Sequence, residues 1–293
     1  MLKENTLVIE QAAEVKVTYF AVEDKVNEGE TSPPRRRNWL KHLRGYMLSM
    51  SVIVGILVVW EVFEIIMAVP TYVLPRPSVI GETMVKNFDL LLRNFGVTAL
   101  EAGLGFMLGN SVAILIAILF VHSPSMERAL FPVAITIRSM PIVALAPLFL
   151  LWFGTGITPK VIIAALSAFF PTLVNAVRGF NSVDKSNLEM MYTLAASRWQ
   201  IFTKLRWPAA LPYIFAALKI STAACVIGAL VAEWIGSDRG LGYLVVVSTF
   251  EFKIELLWAT IAVTSLFTTL LFQLVGWIER WAIPWNRNAG QVE

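Results

Sequence analysis

Few residues in this sequence are of a type that does chemistry, and their spacing excludes most reactions. Cys225 is the one cysteine and lies in an apolar run, while His42 and His122 are the two histidines. A lone cysteine permits no disulfide framework. Two distant histidines without clustered cysteine or carboxylate ligands do not supply the three or four donors of a zinc site. There is no Gly-x-x-x-x-Gly-Lys-Ser/Thr loop, the backbone cradle that ATP hydrolysis needs. His-x-x-Glu-His and Gly-x-Ser-x-Gly are also missing, so the usual metalloprotease and serine-hydrolase centres are excluded. No metal or cofactor is expected on this chain. What remains is charge in apolar surroundings: Glu61, Glu64, Glu101, Arg138 and Glu233.

The elements that position those charges are set by composition. Hydrophobic residues make up 57% of the 293 positions and charged residues 15%, against roughly 25% charged in an average soluble domain. The apolar residues fall in blocks long enough for the roughly 20 residues of helix that cross a bilayer. Their continuity predicts helices, since alternating barrel strands would break it. Six spans are expected: Tyr46 to Val69, Val97 to Val121, Ala129 to Phe153, Val161 to Val177, Ala209 to Ile235 and Leu256 to Ile278. The fold class is thus an all-α, six-helix membrane protein. Residues 1–45 read as a largely flexible basic tail without a secretory signal core, residues 46–285 as the membrane domain, and residues 286–293 as a second tail. An even number of spans puts both termini on one side. Near the span ends, thirteen basic residues fall on that side and six on the other, so both termini are expected in the cytoplasm.

Within this frame Arg138 lies about ten residues, roughly 15 Å, into the third span. A charge at that depth is costly and suggests function. It needs water or a partner and is expected to face the protein interior. Ser139, or a glutamate elsewhere in the bundle, could satisfy it. Pro141 and Pro147 interrupt the helical ladder nearby, so Arg138 to Pro147 reads either as part of a solute path or as a structural kink. Glu101 and Glu233 stand within a turn or two of the outer span ends and read as headgroup-level residues or path residues; Glu61 and Glu64 read as interfacial. Asn110, Ser111 and Asn175 line a path or tie helices together. Gly103, Gly105 and Gly109 are spaced for close helix approach. Ser237 to Tyr243 reads as an outer loop suited to contact with a binding protein.

One internal loop is unusually long and polar, Asn181 to Pro212. Asn181, Asp184 and Ser186 are suitable caps for a helix through Leu188 and Tyr192. Ser197 can cap a second helix with Trp199, Phe202 and Leu205 on one face. Pro208 and Pro212 are expected to end that helix and open the next span. An amphipathic helix pair resting on headgroups, with Tyr192, Trp199 and Trp207 as anchors, is the simpler account; a docking site for a partner is the other.

The order of residues in the loop favours docking. Glu189-Met190-Met191-Tyr192-Thr193-Leu194-Ala195-Ala196-Ser197-Arg198-Trp199, followed by Leu205-Arg206-Trp207-Pro208-Ala209-Ala210-Leu211-Pro212, resembles the "EAA" loop of permeases of ATP-binding-cassette importers. Met190 and Met191 replace two alanines of that pattern, Ala195 its glycine and Trp207 its leucine. Because Ala195 resists positive φ, a tighter or partly helical turn is expected. Further matches lie in Leu74 to Ser78, Pro141 to Lys160 with Leu151 to Gly156 inside it, Phe169 to Asn175, Ala232 to Trp234 and Gly240 to Leu244, which are similar to the nitrate, sulfonate and taurine permease superfamily. Glu101 to Phe106, Arg198 to Phe202 and Ala232 to Gly236 are more similar to permeases for thiamin-precursor pyrimidines and riboflavin.

The resemblance implies a type I importer permease fold, with a transport core over about residues 90–280 and loop 181–212 as a mechanical coupler. Glu189, Leu194, Ala195, Ala196, Ser197, Arg198, Trp199, Phe202, Pro208 and Pro212 would form the coupler, with Trp199 and Phe202 filling a groove on the partner. Arg138, Ser139, Pro141, Pro147, Asn175, Glu101 and Glu233 are the path candidates. The implied partners are two ATPase subunits, which use ATP and Mg, a second permease copy, an extracytoplasmic binding protein and the bilayer, with no nucleic acid. A secondary transporter is the rival from another class. It would show more spans, internal repeats or paired broken helices, and no such repeat is evident.

Overall fold

The structure, a computed structural model, describes residues 39–285. The basic tail before Trp39, including Arg35, Arg36 and Arg37, lies outside the described residues, as does the second tail with Arg287. All regular structure among the described residues is helical: α1 Trp39–Met67, α2 Pro77–Lys86, α3 Phe88–His122, α4 Pro124–Arg138, α5 Ile142–Phe153, α6 Ile157–Phe180, α7 Lys185–Thr193, α8 Arg198–Ile201, a π-helical turn Phe202–Arg206, α9 Trp207–Gly236, α10 Leu241–Phe250 and α11 Ile254–Ala282. Five helices are long and apolar enough to cross a membrane, or six if one bent pair counts as a span. The first begins at Trp39, seven residues before the expected start.

The bent pair corrects the third span. Ala129 to Phe153 was expected to run as one helix, but α4 and α5 meet at 96°. The break falls at Ser139–Pro141, where proline forces the preceding residue out of the helical region. Pro147, by contrast, stays inside α5.

Helices α3, α6 and α9 form the packed centre. Small residues let them close: Ala113, Ala117, Ala164, Ala168, Ala176, Ala210 and Ala229 are fully buried, as expected where helices associate by van der Waals contact within lipid. A Cβ on Gly109 would stand 2.2 Å from the Ala165 carbonyl oxygen, and one on Gly105 would stand 2.5 Å from the Ala164 Cβ. Gly103 has nothing within 4 Å, so it takes no part in the expected close approach.

Glu61 and Glu64 tie the end of α1 to the start of α2 rather than lying free at an interface. Glu61 accepts the Ser78 amide at 3.1 Å and the Ser78 hydroxyl at 2.6 Å, which satisfies a donor in the first turn of α2. Glu64 is buried and paired with Arg76. The stretch Ser237 to Tyr243 is not an open loop. α10 begins at Leu241, and Gly240, Leu241 and Gly242 are buried. At ten residues α10 is too short to cross a bilayer.

Candidate coupling loop, hollow and charge network

The loop emerges as two helical pieces. Asp184 occupies the N-cap position of α7 without a side-chain bond, and Asn181 is the C-cap of α6 rather than a cap of α7. The Ser197 cap forms fully: its amide donates to Gln200 Oε1 at 2.8 Å, and the Gln200 amide donates to Ser197 Oγ at 3.3 Å. Between the pieces Ala195 takes φ +52°. The turn therefore keeps the left-handed geometry of a glycine, although alanine was expected to refuse it and the penalty is about 1–2 kcal/mol.

The second piece does not end at Pro208. It passes through the π-helical turn Phe202–Arg206 straight into α9. Pro208 sits in the first turn of α9, where its missing N–H is tolerated, and Pro212 lies inside the helix. Residues Arg198–Gly236 thus form one continuous rod.

The loop's apolar side chains divide sharply. Trp199 is 66% exposed and Phe202 only 6%. Phe202 is packed by His122, Phe180 and Trp207, with ring centroids at 5.0, 5.5 and 6.0 Å, so it cannot enter a groove on another protein. Trp199 stacks on Phe202 at 5.7 Å, which leaves its outer face free. Glu189, Met190, Tyr192, Leu194, Ala195, Ser197 and Arg198 are exposed, and Ala196 is half-buried.

A hollow of about 350 Å³ opens at the α4–α5 bend. Arg138 and Met140 line it from the bend, Ser167 and Phe170 from α6, and Ala224 and Ile227 from α9. Arg138, Ser139, Pro141 and Pro147 are all exposed. Arg138 is thus exposed on the hollow rather than buried and makes no ion pair among the described residues. The expected buried partner is replaced by an open wall. Ser139 Oγ turns back to the Ile135 carbonyl at 3.1 Å. Pro171 leaves the Ser167 carbonyl without its helical donor, and Asn175 Nδ2 donates to the Pro171 carbonyl at 2.7 Å.

Glu101 and Glu233 are each only 1% exposed, so neither sits at headgroup level in contact with solvent or lipid. They belong to a network at the end of the α3–α6–α9 bundle opposite the loop. Lys160 Nζ stands 3.2 Å from Glu101 Oε1 and donates to Ser237 Oγ at 2.7 Å. Thr98 Oγ1 donates to Glu233 Oε1 at 2.7 Å and accepts the Leu241 amide at 2.8 Å. The Gly240 amide donates to Asn94 Oδ1 at 2.8 Å, and the Gly242 amide to Glu233 Oε2 at 2.5 Å. Gly240 takes φ +111°, and a Cβ there would overlap the Glu233 carboxyl, so only glycine closes this turn. The network joins three core helices to the start of α10. Sequence reasoning missed Lys160, Thr98 and Asn94. The available signal was a lysine at the head of a strongly apolar span.

A second missed pair is Lys219 on α9, which bridges to Glu279 on α11 and lies 5.9 Å from the centre of the Phe272 ring. It clamps those two helices nearer the loop.

With this geometry in place, similarity to known proteins becomes informative. Residues 105–284 match the family described as binding-protein-dependent transport system inner membrane component. The chain belongs to this family. It is 32% identical over 234 residues to the formylaminopyrimidine transport permease protein ThiX of Halalkalibacterium halodurans, covering 80% of this chain and 93% of the relative. It is 33% identical over 235 residues to the riboflavin transport system permease protein RibX of Chloroflexus aurantiacus, covering 80% and 88%. It is 32% identical over 260 residues to the putative aliphatic sulfonates transport permease protein SsuC of Bacillus subtilis, covering 87% and 91%. A solved inward-facing structure of the MetNI methionine ABC transporter superposes with a TM-score of 0.54 at 17% identity, over 66% of this chain and 94% of that one. The protein is thus a multi-pass membrane permease of an ABC importer with the type I fold. The family is one of transporters, and ATP hydrolysis belongs to a separate subunit.

Proposed function

We propose that this permease carries a small nitrogen-containing ring compound, a thiamin-precursor pyrimidine or a flavin, from an extracytoplasmic binding protein to the cytoplasm. The similarity to the formylaminopyrimidine and riboflavin permeases over four-fifths of the chain carries this reading. Two copies surround one path and two ATPase subunits drive it, because the five or six spans among the described residues supply half of such a pathway. ATP and Mg are used by those partners. Both termini lie in the cytoplasm, with the thirteen basic residues near the span ends.

The loop couples the two machines. Differential contact in two states is what such coupling requires, and Glu189, Leu194 and Trp199 offer the exposed side chains for it. Ala195, Ala196 and the Ser197 cap hold the turn, with Arg198 just beyond it. Phe202, Pro208 and Pro212 make the loop continuous with α9, so displacement of α8 becomes displacement of a span. The solute passes the hollow at Arg138, with Ser139 and Pro141 at the adjoining bend, Pro147 further along α5 and Asn175 bonded to the lining Pro171. Its mostly apolar wall suits a flat ring. The buried Glu101 and Glu233 act on the path from behind, by holding its helices.

A second reading has its own support. Arg138 is a cation on that wall with no ion-pair partner among the described residues, and the sulfonate permease similarity covers slightly more of the chain, so an anionic sulfonate is the alternative cargo. The test is uptake by proteoliposomes holding the complex with its ATPase and binding protein. A formylaminopyrimidine or riboflavin should accumulate, and taurine and nitrate should not. Uptake of the anions alone, lost in Arg138→Met, would overturn the ring assignment in favour of the sulfonate.

A further inference from the structure

A pocket of about 270 Å³ lies behind the coupling loop, where α3 ends and α4 begins. Arg198, Arg206, His122 and Tyr192 line it, with Val121 and Ile201 among its apolar walls. The arginines carry no carboxylate partner among the described residues. His122 brings no negative charge to them, and its Nδ1–H donates to the Ile118 carbonyl at 2.8 Å. Two guanidinium groups thus converge on one concavity with apolar walls and no anion supplied by the described chain.

We propose that this pocket binds the phosphate group of an anionic phospholipid. Guanidinium is the side chain suited to phosphate because its forked donors match two phosphate oxygens. The pocket's position at a span end points to a lipid as the source. Val121 and His122 end a membrane-spanning helix, and Trp207, packed on the lining residue Phe202, flanks the site in the aromatic-belt manner of a membrane interface. Basic pockets between spans at such a boundary hold anionic headgroups, with the apolar wall taking the glycerol and first methylenes. A lipid here would brace α8 against the α3–α4 turn from the membrane side, leaving the exposed face of α7, Leu194 and the outer face of Trp199 to the ATPase. The site is independent of which solute is carried.

The full complex with its ATPase, purified in detergent and titrated with phosphatidylglycerol or phosphatidylcholine, is read by native mass spectrometry for retained lipid. Wild type should retain phosphatidylglycerol preferentially. Arg198→Ala/Arg206→Ala should weaken that retention about thirty-fold, or about 2 kcal/mol at 1.4 kcal/mol per tenfold. Lys185→Ala/Lys204→Ala removes two loop charges outside the pocket and should leave retention unchanged, which separates a site from general surface charge. Equal retention by wild type and the double arginine variant overturns the proposal. Displacement of the lipid by inorganic phosphate at matched concentration would make free phosphate the ligand and overturn the lipid assignment. Loss of the ATPase with unchanged lipid retention would assign the arginines to acidic side chains of the partner and overturn it as well.

Discussion

Replacing Lys160 with methionine removes the cation from the most buried ion pair among the described residues. Side-chain exposure is 6% at Lys160 and 2% at Glu101, at 3.2 Å separation. At an effective dielectric near 20 their attraction is about 5 kcal/mol. Breaking such a pair from one side typically destabilises by about 3–5 kcal/mol because a charge is left buried without a partner. Here the penalty is compounded, since Glu101 Oε2 already has no donor and the Glu233 carboxyl lies beside it. Thermal unfolding of the purified full chain in detergent, followed by tryptophan fluorescence, should show a midpoint lower by on the order of 10 °C. Adding Glu101→Gln should restore most of the loss, because a neutral amide can donate to Glu233. A Lys160→Met protein within about 1 kcal/mol of wild type, or a double variant no more stable than the single one, would refute the network as a structural clamp.

Two further outcomes follow from backbone geometry. Ala195→Gly relieves a left-handed residue and should stabilise the loop by about 1 kcal/mol; amide exchange across residues 185–201 should slow, and unchanged or faster exchange would show the φ of +52° to be unstrained. Gly109→Ala drives a methyl group into the Ala165 carbonyl and should destabilise by about 1–3 kcal/mol. Gly103→Ala meets nothing and should be neutral or slightly stabilising, so equal effects in a thermal melt would contradict the helix packing described.

Much of the fold was legible because lipid leaves a chain few options. Continuous apolar runs had to become helices, and five of the six expected spans came out in order as single helices. The third span shows the limit. Pro141 announced a break, but an angle of 96° depends on what α4 and α5 pack against, which no local pattern encodes. The Ser197 cap was readable because its partner is three residues away. Glu101 and Glu233 were noticed as charges but not as neighbours of Lys160 and Thr98, since those pairings join positions 59 and 135 residues apart in sequence. Phe202 was misjudged for the same reason. The helical spacing that puts it beside Trp199 also turns it toward Phe180, and only the tertiary structure says which side is covered. At Ala195 the residue's own preference pointed away from positive φ, and the surrounding turn prevailed.

The claim on which the functional account rests is that loop 181–212 transmits ATPase motion to the spans. Substrate-stimulated ATP hydrolysis by the reconstituted complex, compared between wild type and Glu189→Lys, tests it most directly. Glu189 is exposed on α7, a helix without a buried residue, so its replacement should leave the permease folded and in the membrane while stimulation is lost. Stimulation equal to wild type in the assembled Glu189→Lys complex would contradict the coupling role.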